Sequence, residues 1–391
     1  MSEQTHQKYP PSVQHGIPRL SPAQKGWKSV AIGKLVTEVV RPVEMGDDEI
    51  YTLVTAKRSR GGIVKREDLK GREIAVKNQF YIQAGDFIIS KRQIVHGACG
   101  FVPKELDGAI VSNEYLALNF TDKVIPQFWE FLTHTIYFQQ VCFHSSIGVH
   151  VEKMLFKVPR WYQWTVNIPT LKEQEKIASF LGTIDIRLTQ LRRKHELLQT
   201  YKRGVMQKIF SQQIRFKDDD GQPFPDWETT LVKDIATNIF SGRSKASKDF
   251  GNYPVYGSTG IIGKSEIGDY SGESILIARV GANAGKISFV SGVYGVTDNT
   301  IIVNTTSSYN IHLLRIQLEM KRLNSMVFGS GQPLITGTQI KKLHLVCPKS
   351  IEEQRKIVGF LMAIDKKIEA IAKQIELTEQ FKKGLLQKMF V

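Results

Sequence analysis

Residues 173–185 read EQEKIASFLGTID, and residues 353–365 read EQRKIVGFLMAID. The match continues without a gap to Phe210 and Phe390. Of its 38 aligned positions 15 are identical, among them Glu173/Glu353, Gln174/Gln354, Asp185/Asp365, Leu197/Leu377, Lys202/Lys382, Gly204/Gly384 and Lys208/Lys388. A segment written twice at a spacing of 180 positions marks a duplication, so the chain must fold around two equivalent elements. In the first copy Ile177, Leu181, Ile184, Leu188, Leu191, His195 and Leu198 alternate steps of four and three; in the second Ile357, Leu361, Ile364, Ile368, Ile371 and Ile375 do the same. That period is the seam of a coiled coil. At a rise of about 1.5 Å per residue each copy makes a rod about 57 Å long. The simplest packing for two such rods in one chain is side by side and antiparallel, which predicts an approximate two-fold axis.

The ends of the repeats agree with helices. Pro169 and Pro348 stand just before them, Glu173, Glu352 and Glu353 fall in or near the first turns, and lysines gather toward the ends. Gly204 and Gly384 each cost about 1 kcal/mol inside a helix, so their matched positions suggest either a close backbone contact there or a shared accident of ancestry. His195 is read as a tolerated polar residue on the seam.

The repeats divide 391 residues into a short N-terminal segment (1–16), a first variable block (17–168), a first helix (169–211), a second block (212–346) and a second helix (347–391). RFKDDDGQPFPDW, between the first helix and the second block, has the acidic, Gly and Pro content of a linker and ends at Trp227; IPRLSPAQKGW is a similar lead-in to Trp27. Each block runs through β-rich stretches, DFIIS (86–90) and AIVSNEYLALNF (109–120) in the first, SILIARV (274–280) and TIIVN (300–304) in the second. Helical patterns lie near 125–142 and 310–327. Both blocks therefore read as α+β domains.

No apolar run reaches the roughly 18 residues that span a bilayer, and the opening MSEQTHQKYPPSVQHG lacks the apolar stretch of a signal peptide, so a cytoplasmic protein without membrane contact is expected. Cys99, Cys142 and Cys347 are odd in number and far apart, which favours reduced, packed thiols over disulfides or a zinc ribbon. The nine histidines show no ligand spacing, and no bound metal is expected. GIIGKS (260–265) and GANAGK (281–286) miss the spacing of a phosphate-binding loop, and no motif for a flipped adenine or a methyl donor is present. Catalysis has no visible home.

The net charge of +15, by contrast, favours polyanions, and no basic tail carries it: every block and helix has a cationic excess. The loops that mix cations, small polar residues and glycines suit DNA, since Arg and Lys can take guanine edges or phosphates, Asn and Gln can pair with adenine, and glycine lets a backbone come close. The candidates in the first block are Lys57, Arg58, Arg60, Lys91, Arg92, Ser145, Ser146 and His150. In the second they are Arg243, Lys245, Ser258, Thr259, Arg279, Asn283, Ser330 and Gln332.

The helices repeat P-x(3–4)-E-Q-x-K-I…F-L-x-x-I-D and end K-x-G-x-x-Q-K-x-F; with YPVYGSTGIIG (253–263) and GSGQPLITGTQIKKLHLVCP (329–348), the chain resembles the specificity subunits of type I restriction-modification systems. That resemblance implies two target-recognition domains alternating with two conserved helices in an antiparallel coiled coil, each domain reading half of a split, asymmetric site on double-stranded DNA. It implies a non-catalytic protein that recruits two modification (methyltransferase) subunits and the restriction (motor and nuclease) subunits. S-adenosylmethionine, ATP and Mg would then sit on those partners and no cofactor on this chain. Half-sites about one turn, or about 34 Å, apart would fall within the length of such a rod. Two other readings of the residues stay open: a coiled-coil adaptor whose blocks bind protein, and, on the imperfect Gly-Lys loops, a nucleotide-driven enzyme.

Overall fold

The computed structural model describes residues 10–246, 250–328 and 333–390. The chain divides into two compact units, Met1–Arg193 with Lys373–Val391, and Lys194–Ala372. The first unit is discontinuous in sequence and the second is one continuous stretch, and each combines a block with parts of both repeats.

In the first unit β1 (Lys28–Ala31), β2 (Val36–Glu38), β3 (Ile50–Ala56), β4 (Ile63–Lys70), β5 (Gln79–Tyr81), β6 (Phe87–Ser90), β7 (Cys99–Phe101), β8 (Ile110–Ser112) and β9 (Tyr115–Phe120) are followed by α1 (Pro126–Thr133) and α2 (Ile136–His144). After a short hairpin, β10 (Ser146–Ile147) and β11 (Leu155–Phe156), come α3 (Val158–Gln163), β12 (Thr165–Ile168) and the first long helix, α4 (Leu171–Phe210). One sheet has the order β2-β9-β6-β7, a second β4-β3-β8-β5, and β1 pairs with β12. Among the described residues of this unit only β3 and β8 run parallel.

The second unit repeats this plan with different residues. Its elements are β13 (Glu228–Leu231), α5 (Val232–Ile235), β14 (Ala236–Ser241), β15 (Tyr253–Gly257), β16 (Gly260–Ser265), β17 (Tyr270–Ser271), β18 (Ser274–Ala278), β19 (Ile287–Val290), β20 (Val293–Val296), β21 (Thr300–Thr305), α6 (Ile311–Met320), α7 (Gly337–Lys341), β22 (His344–Cys347) and α8 (Ile351–Phe390). Its sheets have the orders β14-β21-β18-β19 and β16-β15-β20-β17, with β13 on β22. Again one pair is parallel, β15 with β20. One irregularity also recurs: the register slips in β3–β4, at Leu53/Val54, and in β15–β16, at Val255/Tyr256, whereas the slip in β14–β21 at Ala236/Asn238 has no counterpart in β2–β9. The duplication thus includes the blocks, although only the helices show it in sequence.

Burial explains why the central strands read as unbroken apolar runs. Phe87 and Ile89 of β6 face a core shared with Trp129, Phe138, Trp161 and the seam of α4, while Ile88 faces the other way, with Ala117 of the neighbouring β9, toward Val54 and Val111 of the second sheet. In the other unit Ile275 and Ile277 face Leu313, Ile340 and Leu361, and Leu276 faces Tyr294 and Val296. A sheet with a helix layer on one face and a second sheet on the other has no wet side, so alternation disappears.

Two side chains from the repeat dock each helix onto its block. In α4 the buried Gln174 accepts the Ile125 N–H (2.9 Å) and donates to the carbonyls of Lys123 (2.9 Å) and Pro169 (3.0 Å). In α8 the buried Gln354 accepts the Asn310 N–H (2.7 Å) and donates to Pro348 (2.9 Å) and Ser308 (3.4 Å). The preceding glutamates accept the tryptophans that open the blocks: Trp27 donates to Glu173 and Trp227 to Glu353, each at 3.0 Å.

The seam expected from the sequence is formed. Ile177, Leu181, Ile184, Leu188, Leu191, Ile357, Leu361, Ile364 and Ile371 are buried and Ile368 is half-buried; His195 and Ile375 are half-buried as well. Within each unit the two helices run antiparallel: in the first, Asp185 meets Lys382 (2.5 Å) and Arg192 meets Glu379 (2.6 Å), so rising numbers on α4 meet falling numbers on α8. In the second unit Lys202 pairs with Asp365 at 2.6 Å. Because Asp185/Asp365 and Lys202/Lys382 are equivalent repeat positions, one ion pair occurs twice with the copies exchanged, as antiparallel packing of two like helices requires. One expectation fails. A Cβ placed on Gly204 or Gly384 would meet nothing within 4 Å, so neither glycine makes a close contact inside this chain.

Candidate nucleic-acid interface

The loops singled out for their composition come from the same places in the two folds. The β3–β4 turn holds Lys57, Arg58 and Arg60, and the topologically equivalent β15–β16 turn holds Ser258 and Thr259. The loop after β6 holds Lys91 and Arg92; the loop after β18 holds Arg279 and Asn283.

In the second unit hydrogen bonds draw these loops around the turn between β20 and β21. The Thr297 N–H donates to Tyr256 O, Ser244 N–H to Val296 O, Arg279 N–H to Asn299 O and Gly242 N–H to Thr300 O, all at 2.8–3.1 Å. The Arg279 guanidinium donates to Asp298 O (3.3 Å), and the Ser244 hydroxyl, which also receives the Val296 N–H, reaches Asp269. Gly242 is required where it stands, because a Cβ there would lie 2.1 Å from Val296 O. Arg243 and Lys245 flank Ser244 and are exposed; Thr259 is exposed and Ser258 and Asn283 half-exposed. Ser330 and Gln332 lie outside the described residues.

In the first unit the Ser59 N–H donates to His96 O and the Arg60 N–H to Gly97 O, tying the β3–β4 turn to the loop after β6. The Lys91 N–H donates to Glu114 O and the Phe156 N–H to Lys91 O, adding the β8–β9 turn and the 145–156 loop. Arg58 donates to Gln93 (3.0 Å) and Glu152 (2.7 Å), and Arg92 forms a two-pronged pair with Glu114 (2.7 and 3.1 Å). Lys91 Nζ donates to Asn113 O. Lys57 and His150 are exposed.

Three candidates point inward. Arg60, held in the left-handed region at φ 58°, donates to Thr133 O at 2.7 Å, and burial lowers its guanidinium below the ordinary arginine value. Ser145 is buried at the end of α2, and the buried Ser146 hydroxyl caps Cys142 O. Conversely, two exposed asparagines went unnoticed in the sequence: Asn113 in the β8–β9 turn and Asn299 in the equivalent β20–β21 turn. The signal was available, as S-N-E and T-D-N interrupt β-rich runs where a turn must fall.

Neither imitation phosphate loop leads into a helix: Gly260–Ser265 is strand β16, and Gly281–Asn283 is a short turn before β19. Among the described residues no group of three His, Cys, Asp or Glu side chains is placed to hold a metal, and no helix is long and apolar enough to cross a membrane. All three cysteines are free and buried; burial raises the Cys99 thiol to about 12.

The family model for the type I restriction modification DNA specificity domain matches residues 225–379. The type I restriction enzyme MjaVIII specificity subunit of Methanocaldococcus jannaschii is 22% identical over 92% of this chain and 91% of its own length. The EcoprrI specificity subunit of Escherichia coli is 31% identical over a shorter stretch, 29% of this chain and 28% of that protein. The same fold occurs in the HsdS subunit of Thermoanaerobacter tengcongensis (TM-score 0.55, 17% identity, covering 94% of this chain and 97% of that one) and in the type I S subunit of M. genitalium (TM-score 0.58, 16% identity, 93% and 96%). The repeated helices, the twice-used sheet plan and these likenesses converge: residues 225–379 match the type I restriction modification DNA specificity domain, and over nearly its whole length the chain is similar to specificity subunits of type I restriction-modification systems.

Proposed function

We propose that this chain selects the DNA address for a type I restriction-modification complex, each unit reading one half of a bipartite site with the loops gathered at its β8–β9 or β20–β21 turn. One observation carries the reading: the two units place different side chains on equivalent loops of one fold, yet attach them to nearly the same helix. Different loops suit two different half-sites, and a repeated helix suits two copies of one partner. Lys57, Arg58, Arg92, Arg243, Lys245 and Arg279 would take phosphates or guanine edges, Asn113, Asn283 and Asn299 adenine edges. Arg58 and Arg92 would exchange their glutamates for DNA, at modest cost because surface ion pairs contribute only about 0–1 kcal/mol.

In this reading the chain does no chemistry of its own and works in the cytoplasm. Two modification subunits would bring S-adenosylmethionine, and restriction subunits would bring ATP and Mg. A mobility-shift titration of the chain with its modification subunit tests it. Binding should prefer one bipartite sequence over scrambled DNA and weaken steeply as salt rises. Equal binding to all sequences, or none, would favour a protein-binding adaptor instead.

A further inference from the structure

His96 closes the short turn Ile94–His96 after β6, and it is fully buried. Three other segments meet it. The Ser59 N–H of the β3–β4 turn donates to its carbonyl at 2.7 Å. Ser12 Oγ, from the N-terminal stretch, lies 2.8 Å from Nδ1. Glu152, in the turn Val151–Lys153, brings Oε1 to 3.3 Å from Nε2. Val13 packs with Val95, Val151 and Met154, which holds Ser12 and the Glu152 turn against the ring. The other oxygen of Glu152 accepts a bond from Arg58 at 2.7 Å, and both of those side chains are about half exposed. One carboxylate therefore stands between a buried imidazole and a guanidinium at the surface.

Glu152 serves the two unequally. Its bond to Arg58 is short, whereas Nε2 of His96 has no aligned hydrogen-bond partner among the described residues, although the carboxylate is beside it. Burial first, and then the charge of Arg58, hold the imidazole below the ordinary histidine value, while Glu152 pulls the other way. Among the described residues these two are the charged groups that act on the ring. Its other nitrogen is equipped for either state, because the Ser12 hydroxyl can donate to a bare Nδ1 or accept from a protonated one. What the charged ring lacks is an undivided carboxylate. Arg58 is among the cations assigned to phosphates or guanine edges, and its departure would remove the opposing charge and free Glu152 in one movement. The equivalent turn of the second unit carries Ser258 and Thr259 in place of these cations, so the arrangement belongs to the first unit.

We propose that His96 is a positioning residue for Arg58: as Arg58 turns from Glu152 to DNA, Glu152 closes on His96, which takes a proton from solvent, so the first unit grips its half-site more tightly in mild acid. This rests on the proposed DNA reading. By reciprocity a protonated His96 releases Arg58. The sign follows from the ring titrating lower in the free chain than on DNA: affinity rises as pH falls through the bound value and levels off below the free one. Each pH unit between the two is worth up to about tenfold. The test is calorimetry of the chain with its modification subunit, binding a duplex that carries the bipartite site selected by mobility shift, at fixed salt in two buffers of different ionisation enthalpy. The unaltered complex should take up protons on binding and bind about three- to tenfold tighter at about pH 6 than at about pH 8. Glu152→Gln should abolish both effects and, by freeing Arg58, tighten binding at about pH 8 by about two- to fivefold. His96→Asn should abolish both as well; Glu152 is half exposed, so its variant carries the test if His96→Asn does not fold. Glu114→Gln frees Arg92 but leaves His96 and Glu152 in place, and should tighten binding while keeping the pH dependence. If uptake and pH dependence are absent from the unaltered complex, or persist in either folded variant of the pair, the proposal is overturned while the DNA-reading role stands. Binding by the unaltered complex without sequence preference would instead remove the functional reading on which the proposal rests.

Discussion

Gln174 and Gln354 give the sharpest test of how the helices are fixed to the blocks. In Gln354→Leu, a change of similar volume, the Asn310 N–H and the carbonyls of Pro348 and Ser308 lose their partner at a site only 1% exposed. Leaving a buried backbone group unpaired costs about 1–3 kcal/mol. Two of the bonds, at 2.7 and 2.9 Å, are strong and the third, at 3.4 Å, is weak, so the expected loss is about 3 kcal/mol. For units of this size that lowers the melting temperature by about 6–12 °C. Gln174→Leu breaks three bonds of 2.9–3.0 Å at a site with no exposure, and should destabilise the other unit by a similar amount. Gln207→Leu, at an exposed position of the same repeat, is the control and should stay within about 0.5 kcal/mol of the unaltered chain. Calorimetry of the three variants reads the differences. The reasoning is refuted if either latch variant unfolds with the control, or if one latch matters and its counterpart does not.

Three further outcomes follow from named contacts. Glu353 is buried and accepts two bonds from Arg215 (3.0 and 3.2 Å) besides the one from Trp227, so Arg215→Met should cost about 3 kcal/mol by stranding a carboxylate, and Trp227→Phe about 1 kcal/mol, both read by chemical denaturation. Reversing one member of the crosswise pair, Lys202→Asp or Asp365→Lys, should cost about 1 kcal/mol, and the double reversal should recover most of it in a double-mutant cycle. Burial, aided by Arg60 and Lys382, lowers His134 to about 4, whereas an unfolded histidine titrates near 6.5. The folded state therefore resists the proton: its stability is undiminished above about pH 6.5 and falls by about 2–3 kcal/mol as pH drops toward 4, and His134→Asn should flatten this acid-side loss in a pH series of melts.

What the sequence disclosed was whatever depends on local period. The 4–3 spacing of Ile177 through Leu191 and Ile357 through Ile371 states which face is buried, and no distant contact is needed to read it. The roles of Gln174, Glu173 and their counterparts stayed hidden, although the letters were plainly repeated, because their partners lie up to 146 positions away. Arg60 looked like its neighbours Lys57 and Arg58. What separates them is a left-handed backbone that turns one guanidinium inward, and composition carries no trace of it. The shared plan of the blocks was invisible for a related reason. Strand order and a single parallel pair constrain which positions are apolar, not which apolar residue fills them, so Phe87-Ile88-Ile89 and Ile275-Leu276-Ile277 play one part without matching letters. Gly204 and Gly384 misled in the opposite direction, since an identity kept in both copies need not reflect a contact within the chain.

The central claim is that two like-built units read two different halves of one DNA site. Its most direct measurement replaces residues 215–346 with the corresponding block of another specificity subunit and maps the modified adenines across a genome carrying the intact and the hybrid complex. The account predicts that one half of the recognised sequence changes while the other half and the spacer between them stay as they were. Alteration of both halves together, or of neither, would contradict it.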